Sequence, residues 1–111
     1  MSIVYLTIDP EGVIERREGE LTQQEVTDVL GGPFEALPQP HEIPVTVLAA
    51  ENAKHEGQNA NWLATRIIRN RIRPEDFVAG TVIVTGHPTG DGDLTSISDE
   101  AEASIRALND R

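Results

Sequence analysis

IPVTVLAAE, residues 43–51, is a nearly continuous apolar run. It is short, rich in valine and closely followed by a polar stretch, so it reads as a central β-strand buried on both faces. A second run, FVAGTVIVTG at 77–86, reads the same way, with Gly80 near its start. Two such strands in one short chain call for a sheet with helices packed on it, and the rest of the sequence supplies both.

Working outward, IVYLTI at 3–8 is a β-branched strand, DPEG at 9–12 a turn, and VIERR the returning strand of a hairpin. Alternation in the second strand places Val13, Glu15 and Arg17 on one face and Ile14, Arg16 and Glu18 on the other. Such a strand is half exposed or lies at an edge. LTQQEVTDVLGG at 21–32 carries helix punctuation. Thr22 caps, Glu25 completes a capping box, Leu21 and Val26 form a staple, and Gly31 and Gly32 stop the helix. PFEALPQPHEIP at 33–44 holds four prolines and leaves room for a short strand at 34–37. Residues 52–61, NAKHEGQNAN, form a polar loop. Asn61 then caps a helix whose apolar arc is Leu63, Ala64, Ile67 and Ile68, ending near Asn70 ahead of Pro74. HPTGDGDLTS at 87–96 is a glycine-rich loop, and Ser98 caps a last helix with Ala101, Ile105 and Leu108 as its stripe. The expected class is α+β: a small mixed sheet with two or three packed helices, in the order β-β-α-β-β-α-β-α, as a single domain over residues 1–111.

Aromatic residues are few, so the core rests on Val, Ile, Leu and Ala. The chain has no cysteine, which removes disulfides, thiolate catalysis and cysteine-based metal sites. It has no apolar stretch long enough to span a membrane, and its first residues read as a strand rather than a leader. A soluble, cytoplasmic protein is the expectation.

The formal net charge is -10, and it is segregated. Residues 1–53 carry net -8, residues 54–73 net +4 and residues 74–111 net -6. The basic segment is NANWLATRIIRNRIRPED, 59–76. On a helix Trp62, Arg66 and Arg69 share a stripe at i, i+4 and i+7, opposite the apolar arc, with Arg71 and Arg73 in the exit loop. Trp62, Arg66, Arg69 and Arg73 are therefore the candidate partner-binding residues, since tryptophan supplies area and arginine rigid donors. The plainer reading is a solvated face whose arginines pair with acids of residues 9–35.

Other chemistry is thin. His41, His55 and His87 lack metal-ligand spacing. Asp91, Asp93, Thr95, Asp99 and Glu102 fit a calcium-loop register, but Ser96 stands where a glycine is needed and a strand precedes the loop. A turn followed by a capped helix explains the same residues. GHPTGDGD lacks the Lys-Ser/Thr ending of a phosphate loop, and no nucleophile elbow is present. No cofactor, metal or catalytic set is assigned. Two polar groups remain as possible ligand loops: Asn52, Glu56, Asn59 and Asn61, and His87 with Asp91.

GGPFEAL at 31–37, AENAKHEGQNANWLAT at 50–65, DFVAGTVIVTG at 76–86 and LTSISDEA at 94–101 occur in an order and spacing that resembles the uncharacterised family catalogued as domain of unknown function number 3846. The resemblance runs from about Ile3 to Leu108 and rests on Gly31, Gly32, Phe34 and Glu35, then Glu51 or Asn52, Gly57, Asn61, Ala64 and Thr65, then Asp76, Gly80, Thr81 and the valines at 82–84. Lys54, His55 and Glu56 lengthen the approach to Gly57 relative to the family pattern. The resemblance implies an origin in bacteria, their phages or mobile elements, and carries no activity with it. The expected function is a small accessory protein that binds another protein, or itself. The alternatives are an acidic nucleic-acid mimic of anti-restriction type, and a ligand binder or enzyme with its site in 52–61 or 87–93. Direct binding to nucleic acid is opposed by the acidic remainder of the chain.

Overall fold

The computed structural model describes residues 2–110. Its elements are β1 (Ile3–Ile8), β2 (Ile14–Gly19), α1 (Gln23–Leu30), β3 (Phe34–Ala36), β4 (Val45–Ala50), α2 (Trp62–Ile67), β5 (Val82–Gly86) and α3 (Asp99–Asn109), with a 3-10 turn at Arg69–Arg71 between α2 and β5. The α+β class and the order β-β-α-β-β-α-β-α are as expected. The five strands form one sheet in the order β2-β1-β5-β4-β3. Every pairing is antiparallel, where a mixed sheet was anticipated.

The hairpin of β1 and β2 turns at Asp9, whose carboxylate accepts from the amides of Glu11 and Val13 while Gly12 takes φ 86°. β2 is an edge strand, as its alternating charge suggests. The apolar runs β4 and β5 lie inside the sheet with both faces covered. Val45, Val47, Ala49, Val82, Val84, Leu6 and Ile8 face α2 and α3, joining Leu63, Ile67, Ala101 and Ile105 in the larger core. Tyr5, Leu48 and Ile83 face the other way and pack under Val26 and Leu30 of α1. Burying each large aliphatic side chain contributes about 1.5–3 kcal/mol, and this two-sided core is the main support of the fold.

The last strand is shorter than its sequence suggests. Residues 77–81 do not join the sheet; they touch the chain ahead of α2 through a single bridge, Ala60 to Ala79. Gly80 adopts φ 79°, which breaks the extended run. A fully buried asparagine takes over the pairing there. Asn61 Nδ2 donates to the carbonyls of Ile8 (3.0 Å) and Gly80 (2.9 Å). Its Oδ1 accepts from the amide of Ala64 (3.0 Å) and so caps α2. The Thr65 hydroxyl donates to the Asn61 carbonyl and accepts from the amide of Val78. β1, the start of α2 and the approach to β5 are thereby tied at one point.

Candidate interaction surface

α2 is brief because its apolar arc ends at Ile67 and Ile68, and Pro74 prevents continuation. The chain tightens into the 3-10 turn and leaves as a loop. Trp62 stands on the first turn, 59% exposed, with its ring 5.9 Å from that of Phe77. Trp62, Arg66 and Arg69 line one shallow recess of about 260 Å³ with Thr65, Pro74, Glu75 and Asp76. The stripe expected from helical spacing thus survives the change from α to 3-10 geometry. Arg73 lies in the exposed loop beyond it.

The arginines are held, though not by the acids of residues 9–35. Arg69 donates to three carbonyls of its own exit loop: Pro74 at 2.8 Å, Asp76 at 2.7 Å and Arg73 at 3.4 Å. Arg66 Nη1 donates to the carbonyl of Leu108 at 3.2 Å, near the end of α3. Arg71 reaches the His41 ring at 3.3 Å. Carbonyls orient a guanidinium and leave its charge intact. Among the described residues, none of Arg66, Arg69, Arg71 and Arg73 pairs with a carboxylate within 4.0 Å. Lys54 differs, because its ammonium pairs with Asp76 and lies 4.6 Å from the centre of the Phe77 ring. The Lys54 ammonium, then the Phe77 amide, hold the Asp76 carboxyl below its ordinary range.

Asn61 is buried and fully engaged by backbone. Asn52, Glu56 and Asn59 are exposed; the Asn52 carbonyl serves a local turn, and the Asn59 carbonyl accepts from the amide of Gly80. His87 and Asp91 are exposed in the glycine-rich loop, far in sequence from that group. Two of the calcium-register residues are used otherwise: Glu102 binds Arg16 and Arg106, and the Thr95 hydroxyl donates to the His87 carbonyl. Sequence reasoning missed a different recess, lined by Glu35, Glu51, Lys54, His55, Asp76 and Phe77 among others. With Ile68 and Ile72 the lining comes from four separate segments, and no local spacing links them.

Segment 50–65 thus meets 31–37 at its start, where Phe34 pairs with Ala50, and 76–86 near its middle, where Ala60 bridges Ala79. The family described as Domain of unknown function (DUF3846) matches residues 1–109. The chain belongs to that family. No curated protein and no solved structure matches it. In this DUF3846 domain the Asn61-Ala64-Thr65 and Gly80 positions are architectural, since they form the knot between β1, α2 and β5. Glu35, Glu51 and Asp76 are instead partly or fully accessible. No helix among the described residues is long and apolar enough to cross a membrane.

Proposed function

We propose that this DUF3846 domain is a small protein-interaction module, and that it meets an acidic segment of a partner protein, or of a second copy, through Trp62, Arg66, Arg69 and Arg73. The observation that carries this reading is the set of guanidinium groups beside an exposed tryptophan, none of them paired with a carboxylate within 4.0 Å among the described residues. An indole face and rigid arginine forks are the groups that concentrate binding energy at protein contacts. Arg66 and Arg69 are already oriented by carbonyls, so less side-chain freedom is lost on docking. The net charge of -10 does not forbid an acidic partner at close range, because distant charges are screened beyond about 8 Å at physiological ionic strength. It does favour a short acidic segment over a large acidic body. The compact extents of 36 × 28 × 25 Å weigh against imitation of an elongated nucleic-acid duplex.

Trp62→Ala combined with Arg73→Glu tests the surface without touching the carbonyl-bound arginines. Affinity capture should recover partners with the natural chain and lose them with the variant, by about 30-fold or more in affinity if Trp62 is a hot spot. Light scattering on both proteins covers self-association. An unchanged partner set together with an unchanged mass would remove this surface from consideration.

A further inference from the structure

Beside the end of α2, the chain near 51–55 and 76–79 meets Leu37, Ile68 and Ile72 over the edge of β4. A recess of about 200 Å³ lies there. Its lining is mixed: Leu37, Ala49, Ile68 and Ile72 supply an apolar part, Glu35, Glu51 and Asp76 carboxylates, and Lys54 and His55 also border it. Both glutamates are exposed, and neither side chain has a partner among the described residues. Lys54 does not answer them, because its ammonium is held by Asp76 and the Phe77 ring.

We propose that this recess binds a small organic cation: a primary ammonium or guanidinium group on a short apolar stem. The apolar part of the lining would take the stem out of water, and the glutamate carboxylates would accept charge-assisted hydrogen bonds from the head. The recess already shows the matching chemistry in its own structure, since an alkyl-ammonium, that of Lys54, sits against a carboxylate and an aromatic face at its border. A bare metal ion is a poor fit, because among the described residues carboxylates and histidines nowhere converge in a set that could hold one. The volume equals the share of about seven liquid waters at about 30 Å³ each, which suits a stem of four or five carbons with its head group. The net charge of -10 draws cations toward the molecule generally; the apolar part of the lining is what confines one to this place. The site is separate from the arginine strip, although Asp76 borders both recesses.

Cadaverine and agmatine are the probes, titrated into the full chain while its backbone amides are followed by NMR. Saturable shifts confined to residues 35–37, 49–55 and 76–79 are expected. Glu51→Gln and Glu35→Gln should each weaken binding by about tenfold, the loss of one charge-assisted contact. Both positions are exposed, so a well-dispersed spectrum of each variant serves as the control for folding. 1-Pentanol tests the stem without the charge and magnesium the charge without the stem; both should bind at least about tenfold more weakly. Shifts scattered over the acidic surface, equal response to magnesium, no response at millimolar probe, or indifference to both glutamine substitutions would each overturn the proposal. The interaction reading above is unaffected by any of these results, because none of them touches Trp62 or Arg73.

Discussion

Replacing Asn61 by alanine removes a helix cap and two buried donors in one step. The carbonyls of Ile8 and Gly80 would lose their partner in a site closed to water. Losing a cap costs about 1 kcal/mol, and each buried group left without a partner about 1–3 kcal/mol. Asn61→Ala should therefore lower stability to urea by about 3 kcal/mol or more. Asn61→Asp keeps the shape and the cap acceptor but puts a carboxylate against two carbonyls. At neutral pH it should be at least as damaging as alanine, and partly relieved in acid when the carboxyl can donate. Equal and small losses for both substitutions, measured by urea unfolding, would show that the knot is dispensable. Asn61 also shows what residue type leaves open. Its place ahead of an apolar arc suggested the cap and its polar loop a ligand contact; the bonds to Ile8 and Gly80 depend on nearness in space that no local spacing carries.

At the scale of elements, the end of β5 depends on a close approach that no side chain can share. The amide of Gly86 donates to the Thr95 carbonyl at 3.0 Å, and a Cβ on Gly86 would run into the carbonyl oxygen of Ser96. The glycine-rich loop 87–96 is folded back at that point, with the Ser96 hydroxyl accepting from the amide of Val4 and the amide of Ile97 donating to the Val4 carbonyl. Gly86→Ala should destabilise by about 1–3 kcal/mol through overpacking, with faster amide exchange in 94–97 and at Val4. Exchange unchanged at those amides would mean that the loop moves aside at little cost. The helices were more legible than the strand ends. Thr22, Asn61 and Ser98 cap α1, α2 and α3 as their side chains and positions imply. Capping is local chemistry within one turn, whereas the late start of β5 follows from Gly80 and from a partner more than fifty residues away, Ile8.

At the scale of the molecule, charge links the edge strand to the last helix. Glu102 on α3 is only 13% exposed and binds Arg16 on β2 and Arg106 on its own helix. Burial pushes its carboxyl up, but the hydrogen bonds from Arg106 and Arg16 outweigh this and hold it below the ordinary range. A carboxyl lowered by folding contributes stability above its unfolded value, about 4.3, and that contribution is lost as pH falls through the lower folded value. Glu102→Gln should therefore be less stable than the natural chain at pH 7, and the gap should close as the solution is acidified below about pH 4.3. Urea midpoints for both proteins across that range check it. General self-repulsion also weakens in acid, but it changes nearly alike in both proteins and drops out of the difference. A gap that stays constant with pH would show that the glutamate acts by shape rather than charge.

By itself the sequence determined the element order, the three caps, the hairpin and the two inner strands. Those depend on periodicity and on contacts within a few residues, where side-chain type and spacing are sufficient. It also located the basic strip, because charge is additive along the chain. Only the tertiary structure decided that the sheet is antiparallel throughout, that Arg66 and Arg69 rest on carbonyls, and that Glu35, Glu51 and Asp76 share one recess. Those outcomes depend on which distant segments arrive side by side, and that is set by how two helices and one helix divide the opposite faces of the sheet.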